Sequence, residues 1–86
     1  MHFVAKVFVT PKQAILDPEG KAVASSLHAL GYDEVADVRL GKYVVVRLDA
    51  SSPDRARSRV QEMCARLLAN EIIEDFSFEI EEAAVA

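Results

Sequence analysis

Asp37-Val38-Arg39-Leu40-Gly41-Lys42-Tyr43-Val44-Val45-Val46-Arg47-Leu48 reads as two extended runs separated by a turn. Val38 and Leu40 alternate with Asp37 and Arg39, Gly41-Lys42 interrupts the alternation, and Tyr43 resumes it with a run of valines behind it. Apolar alternation on both sides of a glycine-containing dipeptide predicts a β-hairpin, with strands over 35–40 and 43–48. The stretch also brings basic and aromatic side chains together more closely than any other.

Before that stretch, Phe3, Ala5, Val7 and Val9 fall on one face of an N-terminal extended segment, Val4, Lys6 and Phe8 fall on the other, and Thr10-Pro11 closes it. Asp17-Pro18-Glu19 then supplies a side-chain acceptor at an N-cap, proline at the first helical position and negative charge in the first turn. Val23, Ala24, Leu27 and Leu30 follow at helical spacing, and Gly31 stands where a C-terminal cap is wanted, so a first helix is predicted over 18–30. Beyond the hairpin, Ser52-Pro53 repeats the capping logic. It opens a second helix to about 69–70, with Ala56, Val60, Met63, Cys64, Leu67 and Leu68 inward and the arginines mostly outward. A last strand is predicted over 73–81, with Phe76, Phe78 and Ile80 inward and Ser77, Glu79 and Glu81 wet; residues 82–86 are expected to fray.

The element order is β-α-β-β-α-β. An internal offset of 38 residues supports it, matching Val7 with Val45, Leu30 with Leu68, Val35 with Ile73, Val38 with Phe76 and Leu40 with Phe78. Such a chain is expected to form an α+β fold, a four-stranded antiparallel sheet in the ferredoxin-like order 4-1-3-2 with both helices on one face. Strands one and three, apolar on both sides, suit the centre, and the charged strands two and four suit the edges. The helix-free face is expected to show Val4, Phe8, Tyr43 and Val45, rimmed by Lys6, Asp37, Arg39, Arg47, Glu79 and Glu81. An apolar centre with a charged rim is built for protein contact, and a second copy of the same sheet is the expected cover. Val4, Phe8 and Val45 are therefore the candidate self-association residues.

Size points the same way. Eighty-six residues make a single domain, 1–86. Ordering costs of about 1.5 kcal/mol per residue nearly cancel what burial supplies at this length. A lone Cys64 can form no internal disulfide, which leaves association as the further source of stability. With 51% hydrophobic and 28% charged residues the chain has the composition of an ordinary globular domain. Its net charge of −4 and pI of about 5.0 argue against general nucleic-acid affinity. No apolar run approaches the roughly 20 residues of a membrane span, and the N-terminus lacks signal-peptide features, so a cytoplasmic protein is expected.

No residue set looks catalytic. His2 and His28 lack a Cys, Asp or Glu at metal-ligand spacing and read as surface residues. Cys64 lies in the apolar stripe of the second helix and reads as core. Glu79, Glu81 and Glu82 read as a solvated face protecting a sheet edge, and Gly41 is too isolated for a phosphate-binding loop. Arg39, Lys42, Tyr43 and Arg47 read either as edge charge and turn chemistry or as a docking patch, arginine and tyrosine being common interface anchors. On the docking reading, reversing charge at Arg39 and Lys42 should weaken complex formation.

Several stretches together resemble the PurS family, the small subunit of phosphoribosylformylglycinamidine synthase. They are Val7-Phe8-Val9-Thr10, Leu16-Asp17-Pro18-Glu19-Gly20, Leu30-Gly31-Tyr32, Val38-Arg39-Leu40-Gly41-Lys42-Tyr43, Met63-Cys64, Leu67-Leu68-Ala69-Asn70 and Ile73-Glu74-Asp75. They span nearly the whole chain in order, and their conjunction carries the specificity. Pro11 departs from the family pattern, where a larger apolar residue is frequent, and the Ala-rich end carries no motif. The resemblance implies a non-catalytic subunit that binds no cofactor itself and assembles with a PurL-type synthetase and a PurQ-type glutaminase. Those partners use ATP, Mg and glutamine to convert formylglycinamide ribonucleotide to its amidine. The small subunit helps hold them so that ammonia passes between their sites. It further implies a homodimer or tetramer, with sheets joined or strands shared between copies. A reading from another class remains, a small ligand-binding regulatory domain; a thermal shift with amino acids or nucleotides would favour it.

Overall fold

The computed structural model describes residues 1–83. Its elements are β1 (His2–Pro11), α1 (Pro18–Ala29), β2 (Lys42–Asp49), α2 (Pro53–Met63), a π-helical turn (Cys64–Leu68) and β3 (Glu74–Glu82). Three strands form one antiparallel sheet in the order β2-β1-β3. β1 is central because both its faces are apolar enough to be covered; Phe3, Ala5, Val7 and Val9 are all buried on the inner side. Val7 lies opposite Val44 on one neighbour and Phe78 on the other, which puts Val44, Val46, Leu48, Phe76, Phe78 and Ile80 on that same face.

α2 covers this face along β1 and β3. Ser52 caps it, its hydroxyl accepting from the Arg55 N–H, and Pro53 holds the first turn. Ala56, Val60 and Cys64 point into the sheet and are fully buried. The helix then widens. The Ala69 N–H donates to the Cys64 carbonyl, five residues back, and the slower rotation per residue brings Leu68 and Ala69 inward in place of Leu67. Leu67, expected in the stripe, is 82% exposed.

The predicted strand at 35–40 does not form, so the described residues hold three strands where four were expected. The tight hairpin at Gly41-Lys42 is absent with it. The backbone of 35–40 joins no ladder, and its groups go to the start of α1: the Leu40 N–H donates to Asp17 Oδ2, and the Val38 carbonyl lies against Gly20, where no Cβ would fit. β2 consequently lies at an edge. Its ladder partner is β1, and the two form a wide hairpin in which Val9 faces Lys42 and residues 12–41 make up the connection.

That connection projects as an arm. α1 runs as the capping residues predict, with Asp17 at its N-cap and Gly31 at φ +100° just past its end. It packs substantially on neither the sheet nor α2, so the two helices do not share a face of the sheet as expected. The radius of gyration is 16.6 Å, against about 12 Å for a compact chain of this length, and the molecule extends 50 × 29 × 16 Å. Glu82 closes β3 and the Ala83 N–H donates to the His2 carbonyl, so the expected fraying does not begin at 82; the rest of the predicted tail, 84–86, lies outside the described residues.

Candidate assembly interface

The α2-free face of the sheet carries the apolar side chains expected there. Phe8 lies opposite Tyr43, Lys6 opposite Val45 and Val4 opposite Arg47. The Phe8 and Tyr43 rings stack with centroids 5.2 Å apart at 25°, as a non-polar cross-strand pair favours. Phe8, Tyr43 and Val45 are nevertheless exposed. On the β3 side the face turns acidic through Asp75, Glu79 and Glu81, and Lys6 Nζ meets Glu81 Oε1 at 2.9 Å. The hydrogen bond and charge of Glu81 raise the Lys6 pKa and keep the ammonium charged. The face is thus a hydrophobic half along β1 and β2 beside an acidic stripe on β3.

The four candidate docking residues do not converge on one patch. Tyr43 and Arg47 share the α2-free face. Lys42 Nζ instead reaches the Leu68 carbonyl at 3.2 Å, with Glu74 Oε2 at 4.0 Å. Arg39 is drawn into the neck of the arm, where its two terminal nitrogens donate to the Ile15 carbonyl at 3.0 Å and to the Lys12 carbonyl. Asp37 and Arg39, expected on the rim of the sheet, belong to the arm because no strand forms there.

The neck is the feature that sequence reasoning missed. Asp17 Oδ1 accepts from the Gly20 N–H at 3.0 Å, the ordinary N-cap bond, while Oδ2 accepts from the Leu40 N–H at 2.9 Å. One carboxylate thereby joins the outgoing and returning chains of the arm, and the Arg39 fork makes the same link in the other direction. The two backbone N–H donors, Leu40 first and then Gly20, lower the Asp17 pKa, and the charge of Arg39 adds to them. Gly41 completes the neck by lying flat on the Val9 carbonyl and Thr10, a closeness that excludes any side chain.

Beyond the neck, the arm exposes apolar surface. Val23 is 38% exposed and Leu30 74%, Leu16 and Tyr32 are open, and Ala24 and Leu27 are half-buried. His28 Nε2 meets the Val35 carbonyl at 2.7 Å and ties the returning chain to α1. In the body, α2 lies over β1 and β3, and the inner side chains of β2, Val44, Val46 and Leu48, are only half-buried. An amphipathic helix without a sheet and a sheet margin without a helix therefore occur in the same chain.

His2 Nδ1 pairs with Asp49 across the end of the β1–β2 ladder. Burial pushes the Cys64 thiol pKa up, which suits a core residue and disfavours the thiolate. Lys12, Glu71, Glu74, Asp75 and Phe76 line an open cleft of about 380 Å³, in which Lys12 Nζ holds Asp75 Oδ1 at 2.9 Å. Among the described residues no group of three His, Cys, Asp or Glu side chains could hold a metal ion, and no helix is long and apolar enough to cross a membrane.

Comparison with known proteins agrees across the length of the chain. The family model described as PurS, phosphoribosylformylglycinamidine (FGAM) synthase, matches residues 4–82. The phosphoribosylformylglycinamidine synthase subunit PurS of Bacillus subtilis (strain 168) is 46% identical over 80 residues, spanning 93% of this chain and 94% of that protein. The solved PurS of Thermus thermophilus superposes with a TM-score of 0.87 at 33% identity, covering 98% of this chain and 100% of that one. A chain in the PurLQS structure of Thermotoga maritima gives a TM-score of 0.86 at 23% identity, over 94% and 99% of the two chains, and shows the likeness of fold alone.

Proposed function

This chain belongs to the PurS family of phosphoribosylformylglycinamidine synthase, a subunit of that complex in purine biosynthesis, and from this premise we propose that it acts by assembly. It bridges a PurL-type synthetase and a PurQ-type glutaminase in the cytoplasm, and it binds no cofactor of its own. ATP, Mg and glutamine are used by those partners, and ammonia released from glutamine crosses to the synthetase without escaping to water. The observation that carries the assembly reading is the pairing of two incomplete surfaces in one chain: the exposed apolar stripe of α1 and the half-covered margin of β2.

The two surfaces fit a self-associated subunit. α1 of one copy covers Val44, Val46 and Leu48 of another, standing beside α2 as the second helix of the expected two-helix layer. The alternation of 35–40 then supplies the fourth strand next to β2 between copies, which recovers the order 4-1-3-2. This is the sense in which the four-stranded ferredoxin-like sheet is proposed, as a property of the oligomer. The Phe8–Tyr43–Val45 face and Arg47 remain outward for a further copy or for the partner enzymes.

Reconstitution tests the proposal. The isolated chain should show neither glutaminase nor synthetase activity, and adding it to the separate PurL-type and PurQ-type subunits should restore glutamine-dependent amidine formation. Full glutamine-dependent activity without this chain would reject the bridging role.

A further inference from the structure

The arm leaves the β1–β2 ladder at residue 12 and re-enters it at residue 41, and among the described residues α1 has no substantial packing on the body to fix its direction. A helix held at one end of a sheet by two chain segments would swing unless something ties those segments together. Four contacts do so: Asp17 Oδ2 on the Leu40 N–H, the two Arg39 donors on the Lys12 and Ile15 carbonyls, and the Gly41 backbone against Val9 and Thr10. They couple the outgoing segment 9–17 to the returning segment 38–41. The Arg39 contacts are charge-assisted and forked, and the fork fixes orientation as well as distance.

We propose that the Asp17–Arg39 neck is a lock that sets the direction of the arm and thereby permits assembly. Arg39 and Asp17 are positioning residues: they act by presenting the α1 stripe at the angle another copy requires. An arm held in its binding direction loses less conformational freedom on association, so the lock should appear as affinity. The inference rests on the assembly reading above, and the experiment separates the two.

Arg39→Lys keeps the charge and removes the fork. Asp17→Ser keeps an N-cap acceptor for α1 but leaves one short oxygen where two distant donors must be met. Amide hydrogen exchange of the unliganded protein, at a concentration that preserves the wild-type oligomer, should show Leu40 exchanging at least tenfold faster in both variants, with the β1 amides unchanged. Sedimentation over a dilution series should then show self-association weakened about tenfold. Faster exchange at Leu40 with undiminished association would overturn the lock, as would unchanged exchange. Equal loss of protection throughout β1 would also overturn it, because the neck would then be part of the stability of the body. A wild-type chain that sediments as a monomer at every concentration would instead reject the assembly reading, whatever the exchange data show.

Discussion

Asp17 serves two donors with one carboxylate, and that makes its titration informative. The N–H groups of Leu40 and Gly20 stabilise the charged form, so the folded chain binds this proton more weakly than the unfolded chain does. The stabilisation is therefore fully present above the ordinary carboxylate value of about 3.9, and it is lost as the pH falls through the lower folded value. A carbon-detected titration of the Asp17 carboxyl should give a midpoint below that ordinary value, and the Leu40 amide resonance should move with it. Asp17→Ser should abolish the Leu40 titration. A midpoint at or above the ordinary value would contradict the shared carboxylate. The N-cap half of this arrangement is legible in Asp17-Pro18-Glu19, because capping is local. The Leu40 half is not, because side-chain acceptors carry no sequence mark of a partner on a distant, returning segment. Arg39 shows the same limit: its charge suggests an exposed rim, and only the fold reveals two backbone carbonyls within its reach.

At the level of elements, alternation identifies extended chain without identifying its pairing. Val38 and Leu40 alternate as a strand would, yet their segment joins no ladder and returns past α1 to the neck, while β2 takes β1 as its partner. The helices are read more securely because their caps and stripes are local, and both begin at the predicted proline. The end of the second helix departs at the π turn, which helical spacing cannot anticipate. Val60 and Leu67 fall in one stripe by α-helical spacing, and the structure separates them into core and surface. Val60→Ala removes two buried methyl groups and opens a small cavity, which should cost roughly 2 kcal/mol in urea unfolding of the isolated chain. Leu67→Ala should stay within about 0.5 kcal/mol, as surface changes do. Equal losses at the two positions would restore a regular α-helix through 68 and remove the π turn.

For the molecule as a whole, the extended shape is the consequence of one topological fact. The connection between adjacent antiparallel strands contains a helix, and a connection anchored at neighbouring ladder positions leaves from the end of the sheet. The association expected from size does not distinguish which apolar surface is used, and both the α1 stripe and the α2-free sheet face are open. Exposed Val23 on α1 serves the arm, and exposed Phe8 serves the α2-free sheet face. They make separate contributions if the arm joins copies in pairs and the sheet face joins pairs to each other. Aspartate at either position would place a charge in an apolar contact, at a cost that an unpaired buried carboxylate cannot recover. Sedimentation should then find Val23→Asp as a single chain with the body still folded, because α1 does not support the sheet. Phe8→Asp should stop at two chains. Single-chain Phe8→Asp together with paired Val23→Asp would reverse the assignment and make the sheet face the primary contact, leaving the arm free for the larger enzymes.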